Sequence, residues 1–240
     1  NDMKLDILAF AAHPDDVELS ASGTLLHYAA QGKKIGIIDL TEGELGTRGS
    51  VADRYAESAA AGKLMGLRIR KNLNLGDGFF EVNEENKRKI IEQIRIHQPE
   101  IVLANSLSDR HPDHGRGGKL VSDACFLSGL RKIETIVDGV SLAPHRPRLV
   151  LHYIQDHYSH PDIVIDVTNY IDQKVEVIQA FRSQFFDPQS TEPTTPISGE
   201  EFFHFLKGRM MQYGRPIGVD YAEGFNVTRI LGTKDLFQLV

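Results

Sequence analysis

A single cysteine, Cys125, stands among the 240 residues, so no disulfide can form within the chain and a reducing cytoplasm is the expected compartment. No secretory-type leader is visible, and no apolar run approaches the ~18 residues that a membrane-spanning helix needs. Positive charge is not in excess. With 27 Lys and Arg against 33 Asp and Glu the net charge is -6, which leaves no overall basic field to hold nucleic acid. The glycine fingerprint of a dinucleotide site is missing, because Gly43, Gly46 and Gly49 do not fit G-x-G-x-x-G and no glycines follow the first apolar run. Fixed-period repeats and low-complexity tracts are also lacking. What remains is ordinary globular composition, 41% hydrophobic and 25% charged, expected to fold as one domain over 1–240. Asn1 and Asp2 read as an appendage ahead of Met3.

Apolar runs and helical spacings alternate along the chain. Strands are expected at 5–11, 34–40, 72–75, 101–104, 148–154 and 163–167, and helices at 17–30, 53–65, 84–97, 115–130, 168–182 and 199–213. Alternation of this kind implies an α/β fold, Rossmann-like and doubly wound, with a mainly parallel sheet flanked by helices and a C-terminal extension. Two loops stand out: the glycine-rich segment 41–50, and the proline-bearing segment 186–198, which reads as a surface loop or a flap over a site.

Three copies of His-Pro-Asp punctuate this pattern, at His13-Pro14-Asp15, His111-Pro112-Asp113 and His160-Pro161-Asp162. The first follows strand one and continues to Asp16; the second follows strand four and continues to His114. In doubly wound sheets the chain commonly crosses back to lay strand four beside strand one, which opens a crevice at the carboxyl ends of both. A hundred residues of sequence thereby become spatial proximity. The third copy precedes its strand and reads as structural, and His152, His157 and His160 read as surface or satisfied core histidines.

Catalytic zinc takes three protein ligands, typically imidazole and carboxylate, and keeps one position open. His13, Asp16 and His114 supply that set, Fe2+ being an alternative ion for the same ligands. Neighbouring carboxylates on a tight turn cannot both face one ion, so Asp15 is assigned as the base that takes a proton from water. His111, protonated, would stabilise an oxyanion or protonate a leaving amine, with Asp113 or Asp109 holding its ring and Asp113 counted with the catalytic group. Arg54, Arg110 and Glu44 are the candidate substrate contacts, Arg48 ranking below the other arginines. The competing reading is helix capping: Asp15 with Glu18 has the spacing of a capping box, and Asp113 could cap the helix after it. The implied chemistry is metal-assisted amide hydrolysis.

The segments FAAHPDDVELSASGTL, IIDLTEGELGTRGS, RHPDHGRGGKLVSDACF and GVDYAEGF resemble, in order and spacing, the PIG-L/LmbE family of zinc-dependent N-acetylglucosamine deacetylases, in particular the bacillithiol-biosynthesis branch. The resemblance implies one zinc per chain at His13, Asp16 and His114, a base at Asp15, an electrophilic histidine at His111 and a substrate contact at Arg54. It also implies N-acetylglucosamine linked to malate as substrate, and a homo-oligomer. Two further possibilities stay open on the residues: a metal-containing sugar-binding protein without turnover, and a metal amidase acting on a non-sugar acyl amine.

Overall fold

The structure, a computed structural model, describes residues 3–185 and 187–240. Asn1 and Asp2, and Phe186 at the head of the expected 186–198 loop, lie outside the described residues. In chain order the elements are β1 (Ile7–Ala11), α1 (Asp16–Ala30), β2 (Ile35–Asp39), α2 (Val51–Met65), β3 (Ile69–Asn72), α3 (Glu84–His97), β4 (Ile101–Ala104), α4 (Pro112–Leu127), β5 (Ile136–Val137), β6 (Val140–Ser141), β7 (Leu149–Tyr153), β8 (Ile163–Asp166), α5 (Ile171–Gln179), α6 (Phe202–Gly214) and β9 (Ala222–Asn226).

Seven strands form one sheet in the order β3-β2-β1-β4-β7-β9-β8, and β5 pairs with β6 as a separate ribbon. β1 is fully buried because helices cover both faces of the sheet and its residues alternate between them. Ile7, Ala9 and Ala11 pack with Val17 and Leu25 of α1, Ala61 of α2 and Val177 of α5. Leu8 and Phe10 pack on the opposite side with Ile90 and Ile94 of α3 and Leu120 and Val121 of α4. The expected crossover is present: β4 lies parallel to β1, with Ala9 opposite Leu103, and β2 lies on the other side of β1. The carboxyl ends of β1 and β4 are therefore neighbours.

The sheet is mainly parallel, as its pattern implied, with antiparallel pairing confined to one end. β9 inserts between β7 and β8 and runs antiparallel to both. Its sequence, Ala-Glu-Gly-Phe-Asn, breaks apolar continuity at Glu223, and the structure shows where that carboxylate goes. Glu223 accepts from the amides of Gly23 (2.8 Å) and Thr24 (2.7 Å) and from Thr24 Oγ1 (2.6 Å), all in the middle of α1. Lys174 of α5 donates to Glu223 (2.6 Å) and to the carbonyl of Leu19 (2.7 Å). This fully buried ion pair ties α1, α5 and β9 together. Gly23 is required at the junction, since a Cβ there would stand 2.8 Å from both Glu223 Oε1 and Val167 Cβ.

Element ends also shift for local reasons. α2 starts at Val51, two residues before the expected start, because Ser50 and Asp53 form a reciprocal capping box. α4 starts at Pro112, a favoured first helical position, with His111 as its N-cap. β3 lies at 69–72 rather than 72–75, and residues 168–170 form a 3-10 turn that shortens α5. No helix among the described residues is long and apolar enough to cross a membrane.

Candidate active site

The two motifs converge over β1 and β4. Asn105, directly after β4, accepts the amide of Ala12 through Oδ1 (2.9 Å), which joins the two strand ends. Its Nδ2 donates to Asp16 Oδ2 (3.0 Å), an oxygen that also receives the amide of His13 (2.9 Å). Gln155, from the loop after β7, donates to Asp16 Oδ1 (3.2 Å). The carboxylate at the head of α1 is thus fixed from three directions, and it faces His114 Nε2 at 3.1 Å and His13 Nδ1 at 3.7 Å. The rings of His13, His111 and His114 lie 4.6 to 5.4 Å apart between centroids.

The far side of each imidazole is held as well. His13 Nε2 meets Asp77 Oδ1 at 3.0 Å and Asp113 Oδ2 at 3.1 Å, and His114 Nδ1 meets Asp109 at 2.5 Å. The remaining capacity of those carboxylates is taken up: Asp77 accepts the amide of Leu45, and Asp113 accepts the amide of Gly78 and a guanidinium N–H of Arg116. His13, Asp77 and Asp113 form an acidic cluster of metal-ligating residue types. Their bonds mark Asp77 and Asp113 as orienting the ring of His13, the usual duty of carboxylates behind a metal-ligating histidine. Against the pull of burial, Asp113 and Asp77 hold the His13 pKa up at about 10, and against burial Asp16 and Asp109 hold His114 at about 9. The cluster attracts positive charge.

The histidines fit a divalent cation, since ring nitrogens of His13, His111 and His114 lie close enough together to share one ion. Donors bound at about 2.0–2.1 Å in a tetrahedron stand about 3.3–3.4 Å from one another, and the Asp16 oxygens lie near that distance from His114 Nε2 and His13 Nδ1. His111 also lies within reach of His13 and His114.

Asp15, equally buried, is held differently from Asp16. It occupies the left-handed region at φ 114° and makes no side-chain capping bond, so the capping box suggested by Asp15 and Glu18 is not formed. A non-glycine residue in such a conformation is costly and is found chiefly at functional sites. Its carboxylate is buried and receives Arg54 Nη1 at 3.0 Å, while the same nitrogen donates to the carbonyl of Pro14. Burial pushes the Asp15 carboxyl up to about 7, against the opposing pull of Arg54. A base poised near neutrality results.

Other expectations change. His111 was expected to be held by the carboxylate of Asp113 or Asp109; instead its Nδ1 accepts the backbone amide of Asp113 at 3.2 Å, and Asp109 belongs to His114. An Nδ1 that accepts a hydrogen bond leaves Nε2 as the N–H, so the ring is a neutral donor rather than an imidazolium, and burial followed by the neighbouring His13 and His114 lowers its pKa. Asp113, counted with the catalytic group and as a cap, does not cap α4: its carboxylate is fully buried among His13, Gly78 and Arg116. Glu44 does not project freely to a substrate, since it accepts the amide of Asp77 at 2.7 Å. Arg48 holds the carbonyl of Ser183 and the hydroxyl of Ser190. Arg110 is half exposed and pairs with Asp156 at 2.9 Å. In the third His-Pro-Asp, Asp162 accepts Asn226 Nδ2 and the amide of Val227 at the end of β9. His152 bonds the carbonyl of Asn105 from inside the core.

Above the histidines opens a cavity of about 500 Å3. Asp15, Arg54, Arg110 and the histidines line it together with the apolar Ile197, Phe202, Leu206, Met210 and Tyr213. Of the 186–198 loop, Pro196 and Ile197 reach the cavity, and most of this lining comes from α6. Sequence reasoning missed Asn105, Gln155 and Asp77. For the first two a signal existed, since each is a polar residue just past the carboxyl end of a strand in a doubly wound sheet; Asp77 sits in a Gly-Asp-Gly turn that carries no ligand spacing.

Residues 8–125 match the family model described as PIG-L: GlcNAc-PI de-N-acetylase. The fold is similar to the crystal structure of the conserved protein TT1542 from Thermus thermophilus, with a TM-score of 0.84 and 34% identity over 96% of this chain and 98% of that one. The diacetylchitobiose deacetylase of Thermococcus kodakarensis is 27% identical over 235 residues, covering 93% of this chain and 83% of that protein. A probable N-acetyl-alpha-D-glucosaminyl L-malate deacetylase 2 of Bacillus anthracis is 26% identical over 192 residues, 75% of this chain and 81% of that protein.

Proposed function

The chain belongs to the PIG-L family of de-N-acetylases, and from that premise we propose that it removes the acetyl group of an N-acetylglucosamine conjugate, with one zinc ion held by His13, Asp16 and His114. The observation that carries this reading is Asp15: a buried, backbone-strained carboxylate with no capping duty, next in the chain to Asp16, whose carboxylate faces the imidazoles of His13 and His114. Zinc held there would supply a water with its pKa lowered towards ~7 and would polarise the amide carbonyl. Asp15 accepts the proton of the attacking water and returns it to the departing amine, kept in place by Arg54. Neutral His111 donates from Nε2 to the oxygen that gains negative charge, its orientation set by the amide at the head of α4. Acetate and a free amine leave.

For the aglycone, malate is the assignment we favour. The similarity to the Bacillus anthracis malate-glycoside deacetylase supports it, as do Arg110 and Arg209, cationic side chains that both line the cavity. The same reading takes residues 1–240 as one domain of a cytoplasmic homo-oligomer. Acetate release from a panel comprising the malate glycoside, diacetylchitobiose, free N-acetylglucosamine and a non-sugar acetamide, run beside metal analysis, tests the assignment. Turnover of diacetylchitobiose in preference to the malate glycoside would move the aglycone assignment to a second sugar. Tight binding without acetate release, by protein that carries zinc, would refute the enzyme reading.

A further inference from the structure

Three consecutive residues after β7 each hold a different part of the site. Gln155 donates to Asp16 Oδ1 (3.2 Å) while its Oε1 accepts Asn105 Nδ2 (2.9 Å), so it aligns both the carboxylate and the asparagine that joins β1 to β4. Asp156 accepts Arg110 Nε at 2.9 Å, on the cavity rim. The amide of His157 donates to Asp109 Oδ1 at 2.6 Å, and the other oxygen of Asp109 holds His114 Nδ1. The turn lies outside the strands, so no sheet ladder fixes its backbone. Its anchor comes from α6: Arg209 Nη1 and Nη2 donate to the carbonyls of Gln155 and Asp156, both at 3.0 Å, with the guanidinium 5.6 Å from the centre of the Tyr158 ring.

Resting on the metal reading above, we propose that residues 155–157 are a positioning element for the cage and that Arg209 is the residue that locks it, so that the cavity wall and the zinc ligands form one mechanical unit. A planar guanidinium can span two successive carbonyls with parallel N–H donors, a geometry that a lysine ammonium does not reproduce. The guanidinium of Arg209 bonds the turn, and removing its positive charge would by itself favour a cation in the cavity, so a loss of metal affinity in Arg209→Ala points to the turn.

Zinc affinity measured by competition with a chromophoric chelator, using Zn2+ alone as the probe, tests this without reference to turnover. Gln155→Ala should weaken zinc by about tenfold, the lower end of the loss seen when an outer hydrogen-bond partner of a ligand is removed, and Arg209→Ala should do the same. Arg209→Lys should also lose affinity; it keeps the charge and the stem, and it carries the test if the alanine variant fails to fold. Because both side chains act through one turn, the double variant should lose clearly less than the about hundredfold product of independent effects. Zinc affinity unchanged in folded Arg209→Ala and Arg209→Lys, or full additivity in the double variant, overturns the proposal. A parent protein that takes up no zinc is a separate result, which overturns the metal reading and this inference with it.

Discussion

Replacing Glu223 by leucine should cost much more stability than replacing Lys174 by methionine, although the two residues form one ion pair. Both side chains are 1% exposed. Glu223 receives four donors, two amides and a hydroxyl of α1 and the ammonium of Lys174, whereas Lys174, among the described residues, bonds Glu223 and the carbonyl of Leu19. Glu223→Leu leaves a buried ammonium with one neutral partner, and stranding one member of a buried pair costs about 3–5 kcal/mol. Lys174→Met removes the cation but leaves the carboxylate on two N–H groups and a hydroxyl, so the loss is nearer that of one charge-assisted hydrogen bond, about 1.5–3 kcal/mol. Urea unfolding followed by circular dichroism reads the difference. With a slope of about 3 kcal/mol/M, the midpoint should fall by about 1–1.7 M for Glu223→Leu and about 0.5–1 M for Lys174→Met. Equal losses, or a larger one for Lys174→Met, would refute the claim that α1 amides sustain the buried carboxylate.

Asp15→Asn keeps the shape of the side chain but removes the proton acceptor; acetate release should drop by roughly 10^2 to 10^4 with bound zinc unchanged, and parental turnover in that variant would remove Asp15 from the mechanism. Asp109→Ala frees the ring of His114 and should weaken zinc by about 10- to 100-fold in chelator competition, with intact affinity counting against the assigned role. Burial lowers the pKa of His97 below its ordinary 6.5, with the ring bonded to the carbonyl of Met3 at 2.9 Å. Below 6.5 the unfolded chain then binds the proton more readily than the folded one, so stability falls as pH drops from 6.5 through the folded value. Denaturant titrations at several pH values should show a shallower decline for His97→Gln than for the parent, and identical slopes would contradict the burial argument.

Much of the candidate site was legible in the chain itself. Two His-Pro-Asp motifs directly after two buried apolar runs, in an alternating pattern, were enough to expect β4 beside β1, because right-handed crossovers and a central first strand leave few other arrangements. The residue types of a metal cage and the likeness to a deacetylase family were local properties of those segments. What tertiary structure decided is which group serves which. Asp15 and Asp113 have the same spacing from a histidine, yet one stands free of capping beside Arg54 and the other is consumed by His13, Gly78 and Arg116. His111 became a neutral donor through a backbone amide, which side-chain patterns do not encode. β9 was invisible because its pairing depends on burying Glu223 against the middle of α1 and on Lys174, contacts made across the fold. Hydrophobic spacing specifies elements and their order; hydrogen-bond partners between distant segments exist only once those elements have packed.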